Sequence, residues 1–226
     1  MDEIGFEMTH FDARRVLIIT DARIDALGIP QRIADSLSGH GIASEVFDGV
    51  QVEPTDGSME KAIDYAREQG PWDAFIAVGG GSAIDTAKAV NLITTDGGEL
   101  MDYINAPVGR GLAPSGRLKP LIAVPTTAGT GSRVLRCAFL DVLSMRVKTG
   151  ISHWRLRPAL AVVDPLLTMS LRPRSLRRRG WTLCVTRWSP IPRAGTRVST
   201  ASGRSIESPI AGRTQCPTCG ARRRLS

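Results

Sequence analysis

The chain has 226 residues, of which 42% are hydrophobic, and a formal net charge of +7. This length accommodates one large domain or two small ones, and the apolar content is sufficient for a packed core. No apolar run reaches the roughly 20 residues of a membrane-spanning helix, so we expect no membrane partner. The acidic N-terminus lacks a signal-peptide layout, so we expect a cytoplasmic protein whose four cysteines are reduced thiols.

The net charge combines two segments of opposite character. Residues 172–226 contain 13 arginines, no lysine and one acidic residue, Glu207, for a net charge of +12. Residues 1–171 contain 16 basic and 21 acidic residues, for a net charge of −5. We therefore divide the chain into a globular domain, residues 1–171, and an arginine-rich tail, residues 172–226. Blocks of like charge are typical of nucleic-acid-binding arms and of disorder.

Strand and helix signals alternate along the globular domain. Short apolar runs predict strands at residues 16–19, 43–47, 75–78, 121–125 and 160–163, with a strand pair between 138 and 151. Helical spacing of apolar residues predicts helices at 29–37, 58–69 and 82–93. Alternation with short loops indicates an α/β fold, in which a parallel sheet has helices on both faces.

The strand predicted at 75–78 ends in three glycines, Gly79, Gly80 and Gly81, and a helix follows at once. Glycine allows a tight bend and a close approach of another group. Ser82 and Asp85 have the spacing of a capping box, so we expect Ser82 to cap the helix. Helix N-termini bind phosphate through their free amides and their dipole. The spacing is not G-x-G-x-x-G, and a tight turn without a ligand is the alternative.

A second turn of the same kind follows the strand at 121–125. The sequence there, Thr126-Thr-Ala-Gly-Thr-Gly-Ser132, alternates hydroxyl side chains with glycines. In open α/β sheets, ligands bind outside the carboxyl ends of the strands. Two glycine- and hydroxyl-rich turns at two strand ends therefore predict a nucleotide site.

Two further polar residues, Asp21 and Lys148, are candidates for this site, whereas we find no candidate metal ligand. Asp21 follows the first strand, where an acid can accept hydrogen bonds from a ribose, although an Asp that starts a turn fits equally well. Lys148 can neutralise a phosphate, but a solvated lysine in a strand pair is commoner. Cys216 and Cys219 supply two ligands where structural zinc takes four. We assign no metal ligand and no catalytic residue, and we expect local roles for His10, His40 and His153.

The two turns, GGGSAIDTAK from Gly79 and PTTAGTGS from Pro125, resemble those of the iron-containing (group III) alcohol dehydrogenases. The similarity extends from about residue 16 to 171. Three further segments are similar to one branch of that family, the hydroxyacid–oxoacid transhydrogenases: VEPTD at 52–56, DYINAPVGRG at 102–111 and LKPLIAVP at 118–125.

The resemblance implies a dehydroquinate-synthase-like fold, with a Rossmann-like N-terminal domain and an all-helical C-terminal domain that holds the metal. It implies NAD or NADP as the cofactor, Fe²⁺ or another divalent metal, and a small alcohol or hydroxy acid as the substrate. For a transhydrogenase, the substrates would be 4-hydroxybutyrate and 2-oxoglutarate. Intact relatives can form homo-oligomers.

The resemblance also assigns the cofactor contacts. The pyrophosphate would lie at the first turn, and the second turn would line the phosphate and nicotinamide side. The acid after the first strand would bind the adenosine ribose, and the hairpin lysine would contact the cofactor. The residues concerned are Gly79, Gly80, Gly81, Ser82 and Asp85 for the first turn, Thr126, Thr127 and Ser132 for the second, then Asp21 and Lys148.

The sequence departs from the family in three places. Residues 1–15 are too short for the strand and glycine-rich loop that open the family's domain. Arg133 stands where the family has a glutamate, and a base beside the cofactor weakens the expectation of tight binding. After Leu171 the family continues into a helix, Gly-Met-Asp-Ala-Leu-x-His-Ala, whose Asp and His bind the metal. That helix is not in this sequence, so we expect the family's helical metal domain to be missing.

A shifted reading frame accounts for the third departure. Read one base out of step, codons for residues 178–192 can encode Ala-Thr-Gly-Met-Asp-Ala-Leu-Cys-His-Ala-Val-Glu-Ser-Tyr-Thr. Codons for residues 214–220 can likewise encode Asn-Pro-Met-Ser-Asp-Val-Trp. We hypothesise a single-base loss near the codons for Leu171 and Arg172. The tail would then be disordered and without metal ligands, and the chain would be inactive.

Two other functions fit the sequence. An acidic α/β domain with an arginine arm would bind nucleic acid non-specifically, in a manner sensitive to salt. The tail lacks the interleaved aromatic residues of single-strand binders, so we expect no specific nucleic-acid partner. The second alternative is another enzyme with the dehydroquinate-synthase-like fold.

Overall fold

A computed structural model describes residues 3–127, 129, 131–164, 167 and 198–199. These residues form an α/β unit. Its strands are β1 Arg15–Ile19, β2 Ala43–Phe47, β3 Ala74–Gly79, β4 Leu121–Pro125, β5 Cys137–Val142, β6 Val147–Ser152, β7 Leu160–Val162 and β8 Val198–Ser199. Its helices are α1 Ile4–Thr9, α2 Ala22–Asp25, α3 Ile29–Ser38, α4 Asp56–Gln69, α5 Gly81–Asp96 and α6 Leu100–Tyr103, with a 3₁₀ turn at Trp154–Leu156.

Six strands form a parallel sheet in the order β2-β1-β3-β4-β7-β8. The strands β5 and β6 form a separate antiparallel hairpin, as the sequence predicts. The chain runs outward from β1 to β2 on one side and from β3 to β4 on the other. The carboxyl ends of β1 and β3 are therefore a topological switch point, where parallel sheets commonly bind their ligands.

Helices cover both faces of this sheet, which confirms the predicted α/β architecture. Side chains of β1 alternate between the faces: Leu17 and Ile19 join the core beneath α4 and α5, and Val16 and Ile18 join the core beneath α1 and α3. All four are fully buried. Strands buried on both faces have continuous apolar runs, which is why the sequence identified them.

The N-terminus of α5 differs from the prediction. The helix begins at Gly81 with Gly80 as its N-cap, and no side chain caps it. The hydroxyl of Ser82 instead accepts a hydrogen bond from Glu53 N at 3.3 Å. Asp85 is buried inside the first turns of the helix rather than closing a capping box. Glycine without a side-chain cap leaves the first amides of α5 free for another acceptor.

Three short helices, α1, α2 and α6, were not predicted, because four to six residues span too few turns to show a periodicity. From residues 172–226 the structure describes only strand β8, which pairs with β7 through Ala161 and Val198. The predicted disordered tail otherwise lies outside the described residues. None of the helices described is long and apolar enough to cross a membrane.

The C-terminal end of α5 is fixed by a carboxylate that accepts several hydrogen bonds. Asp96 accepts from the Ser115 amide at 2.9 Å, from the Gly116 amide at 3.2 Å and from the Tyr103 hydroxyl at 2.8 Å. Burial raises the pKa of this carboxyl, but hydrogen bonds from Ser115, Tyr103 and Gly116 outweigh it and lower the pKa to about 2. Asp96 thus attaches the loop before β4 to the helix that precedes it.

We expect Asp96→Asn to lower the melting temperature at neutral pH, since the amide is a weaker acceptor for these donors. The folded pKa lies below the unfolded one, so the stabilisation is complete above an unfolded pKa of about 4 and disappears as the pH falls through about 2. Melting curves of both proteins between neutral and acidic pH should therefore converge on acidification. The control is Asp64→Asn on the exposed face of α4, and a constant difference at all pH values would contradict the assignment.

Candidate nucleotide-binding site

The two glycine-rich turns are direct neighbours in the structure. Gly79 at the end of β3 pairs in register with Pro125 at the end of β4. The amide of Thr126 donates to the carbonyl of Gly79 at 2.9 Å. The prediction that the two turns meet at one edge of the sheet is therefore confirmed, and the edge lies beside the switch point between β1 and β3.

Geometry excludes a side chain at Gly79 and leaves little space for one at Gly80. Gly79 has a φ of +147°, which side-chain-bearing residues rarely adopt, and a Cβ on it would lie 2.9 Å from the Cβ of Ala83. A Cβ on Gly80 would lie 3.3 Å from Thr127 Oγ1. The turn is thus packed against both its own helix and the second turn, and it exposes main chain at the N-terminus of α5. Such a surface admits the close approach of an anion.

Asp21 lies beside the first turn and also starts a helix. Its Oδ1 accepts hydrogen bonds from the amides of Arg23 at 3.0 Å and Ile24 at 3.1 Å, and so caps α2. Its Oδ2 lies 3.6 Å from the position that a Cβ on Gly79 would take. Both sequence interpretations of Asp21 are therefore compatible with the structure, since one oxygen serves the turn and the other faces the glycines.

Thr127 supplies a polar atom that suits a ligand. Its Oγ1 is buried and has no hydrogen-bond partner among the residues described. A buried hydroxyl left unpaired costs about 1–3 kcal/mol. Because this oxygen adjoins Gly80, an anion seated on the first turn would lie near it. The neighbouring Thr126 is buried. The residues at this edge therefore fit a phosphate-containing cofactor.

A cleft of about 210 Å³ lies at the N-terminus of α5, next to the β5–β6 hairpin. Five of the predicted residues line it: Gly81, Ser82, Asp85, Ser132 and Lys148. The predicted residues Asp21, Gly79, Gly80, Thr126 and Thr127 are not among its lining residues.

The position of Lys148 is compatible with both of the roles considered for it. Its side chain is 61% exposed and forms an ion pair with Asp141 at 3.6 Å, as expected of a solvated hairpin lysine. It also lines the cleft, together with Phe139 from the other strand of the hairpin. A cation at the rim of an otherwise small cleft can contact a phosphate without being desolvated.

Sequence reasoning missed one charged residue of this region, Lys88. Its side chain is fully buried, and its Nζ donates to the carbonyls of Ser132 at 2.8 Å and Cys137 at 2.7 Å. Asp85 Oδ1 lies 3.5 Å from the same nitrogen. Burial lowers the pKa of Lys88 and raises that of Asp85, while each opposes the shift of the other. The available signal was an acid and a base three residues apart on an otherwise buried helix.

The described residues do not supply a site for a divalent metal. In this part of the chain, no group of three His, Cys, Asp or Glu side chains is close enough to hold an ion. His40 bonds to the Ser36 carbonyl, and His153 accepts from the Arg155 amide. His10 contacts the ring and the carbonyl of Phe6. The family's metal therefore does not fit the residues described, and Cys216 and Cys219 lie outside them.

Comparison with known proteins agrees with this geometry. The model of the family described as "Iron-containing alcohol dehydrogenase" matches residues 1–165. The "Hydroxyacid-oxoacid transhydrogenase, mitochondrial" of Mus musculus is 46% identical over 170 residues, which is 75% of this chain and 36% of that protein. The chain thus spans little more than a third of that relative.

Solved structures with the same fold include a "sulfoacetaldehyde reductase from Bifidobacterium kashiwanohense in complex with NAD+", with a TM-score of 0.73 and 28% identity. The similarity covers 80% of this chain and 46% of that one. An "Iron containing alcohol dehydrogenase from Thermococcus thioreducens" matches with a TM-score of 0.71 and 28% identity, over 80% of this chain and 47% of that one. By sequence and by fold, the chain belongs to the iron-containing alcohol dehydrogenase family.

Proposed function

We propose that residues 1–171 form the NAD(P)-binding half of an iron-containing alcohol dehydrogenase. The adjacency of the two glycine-rich turns at the sheet's switch point carries this proposal, since it presents free amides where a pyrophosphate would bind. The unpaired hydroxyl of Thr127 and the absence of a Cβ at Gly79 and Gly80 support it. The structure of the related sulfoacetaldehyde reductase, which is a complex with NAD+, supports it further.

Most of the predicted residues contact the cofactor directly in this proposal, and Thr126 lines its phosphate side. The pyrophosphate contacts Gly79, Gly80, Gly81 and Ser82, and the hydroxyl of Thr127 donates to it. Asp21 accepts hydrogen bonds from the adenosine ribose, where its charge disfavours an added 2′-phosphate and hence favours NAD over NADP. Lys148 neutralises charge at the rim of the cleft. When bound, the nicotinamide ring supplies the acceptor or donor of a hydride.

Two of the predicted residues act on the protein rather than on the cofactor. Asp85 is an acid, and its oxygens already face Lys88 and the amide of Phe139, so direct contact with a pyrophosphate would be repulsive. Ser132 is buried, and its carbonyl accepts from Lys88. We therefore assign them to the support of the site.

Gly80→Ala tests the pyrophosphate site. Its φ of −80° suits alanine, but the new methyl group would lie at 3.3 Å from Thr127 Oγ1, on the surface that faces the ligand. We expect NAD binding, measured by calorimetry on the full chain, to weaken about tenfold or more, which corresponds to about 1.4 kcal/mol.

The matched control is Gly57→Ala in α4, where a Cβ would meet no atom within 4 Å. This variant should bind NAD as the parent does and should melt at the same or a higher temperature, since alanine favours the helix. Equal binding by the parent and by Gly80→Ala would overturn the assignment of the first turn.

For the intact protein we propose hydride transfer between NAD(P) and a small alcohol or hydroxy acid, of the hydroxyacid–oxoacid transhydrogenase type. The name of the Mus musculus relative, which is 46% identical, supports a hydroxy acid and an oxo acid as substrates, and we propose 4-hydroxybutyrate and 2-oxoglutarate. Homo-oligomers are part of the proposal. For localisation we propose the cytoplasm, which keeps thiols such as the free Cys137 reduced, although the relatives are named as mitochondrial.

We further propose that residues 172–226 are translated out of frame, so that this chain cannot turn over substrate. Purified chain should show no NAD reduction with 4-hydroxybutyrate, with or without added Fe²⁺ or Zn²⁺. A gene corrected by one base near the codons for Leu171 and Arg172 should restore metal-dependent activity. Turnover by the uncorrected chain, or an intact gene that encodes this same tail on resequencing, would refute the frameshift.

A further inference from the structure

The buried ion pair of α5 links three separate segments of the chain. Lys88 is 1% exposed, and its Nζ contacts Asp85 in its own helix, Ser132 at the end of the second turn and Cys137 at the start of β5. The last two acceptors are 44 and 49 residues away in sequence. One nitrogen therefore holds the helix of the first turn against the end of the second.

All the hydrogen-bonding capacity of Lys88 is used inside the protein. An ammonium group has three N–H donors. Two of them reach carbonyls at 2.8 and 2.7 Å, and the third faces the carboxylate at 3.5 Å. No donor is left for a phosphate or a substrate, and Lys88 is not among the residues that line the cleft. Its contribution to the site is therefore indirect.

Asp85 completes the link on the side of the hairpin. Its Oδ2 accepts from the amide of Phe139 at 3.3 Å, two residues after the carbonyl that Lys88 binds. The pair therefore hydrogen-bonds to both a carbonyl and an amide of β5. The hairpin in turn provides Phe139, Leu140, Asp141 and Lys148 to the cleft.

We propose that the Asp85–Lys88 pair consists of positioning residues that set the spacing between the two turns of the cofactor site. The proposal rests on the function proposed above. The observation that supports it is that the buried Nζ of Lys88 bonds the backbone at residue 132, where the second turn ends, and at residue 137, where the hairpin begins.

Stability alone is a poor explanation of this arrangement. A buried ion pair is often no more stabilising than apolar side chains of the same volume, because both charges lose their hydration. What an apolar pair cannot do is accept and donate at defined backbone atoms. The contacts therefore indicate that the pair fixes which backbone atoms meet. A double variant with apolar side chains should consequently fold and yet lose the ordered end of the second turn.

The test compares Lys88→Met, the double variant Asp85→Leu/Lys88→Met, and the control Lys61→Met on the exposed face of α4. The double variant leaves no buried charge unpaired, so it should remain folded even if Lys88→Met does not. Hydrogen–deuterium exchange of the full chain without nucleotide is the first readout. We expect the peptide that spans residues 131–137 to exchange about tenfold faster or more in the double variant, with β1 and β3 unchanged.

Calorimetry with NAD is the second readout. We expect the double variant to bind about tenfold more weakly than the parent and than Lys61→Met. Unchanged exchange at residues 131–137 in the folded double variant would overturn the proposal. Loss of protection throughout β1 and β3 would also overturn it, because the pair would then support the whole domain rather than one turn.

The two readouts separate this proposal from the one on which it rests. If the parent does not bind NAD but exchange at residues 131–137 rises in the double variant alone, the cofactor proposal fails and the positioning role stands. If the parent binds NAD and the double variant binds equally well, the cofactor proposal stands and the positioning role for the site fails.

Discussion

The close contact between the ends of β3 and β4 is the constraint on which the rest of this site depends. Gly79 accepts from the amide of Thr126 at 2.9 Å while its φ is +147°, and a Cβ on it would meet Ala83 at 2.9 Å. Helix α5 can therefore begin directly above the sheet edge only if this residue lacks a side chain. Because the helix starts there, its free amides and the hydroxyl of Thr127 lie at one place, next to the switch point.

The interior of α5 makes this geometry rigid. Residues 83–93 are buried without interruption, so the helix cannot shift toward solvent. Small side chains, among them Ala83 and Ala87, permit its close approach to the sheet. Lys88 hydrogen-bonds the helix to the backbone at residues 132 and 137, which an apolar side chain could not do. The carboxylate of Asp96 closes the far end of the same helix. Packing sets the position of the helix, and the polar side chains of Asp85, Lys88 and Asp96 fix the neighbouring segments against it.

The sequence predicts the sheet and the two turns because their signals are local. Strands buried on both faces read as unbroken apolar runs, and glycines with hydroxyls after a strand indicate a ligand edge. The start of α5 was predicted one residue late, since serine is a better cap than glycine by propensity, but a Cβ at residue 79 would lie 2.9 Å from Ala83 and one at residue 80 would crowd Thr127. Lys88 was missed for another reason: its acceptors are backbone carbonyls more than 40 residues away, which leave no trace in side-chain patterns.

Under the proposed function, cofactor binding and hydride transfer depend on different parts of the protein. Apart from Lys148, the groups proposed to bind the cofactor are main-chain amides, hydroxyls and the Asp21 carboxylate, and these lie before residue 133. Hydride transfer also needs stabilisation of charge on the substrate oxygen, a contribution of several kcal/mol that a metal ordinarily makes. The described residues bring no three ligands together for it. Because the strand ends themselves place the two glycine-rich turns, the geometry of the proposed cofactor site does not depend on a metal ligand among the described residues.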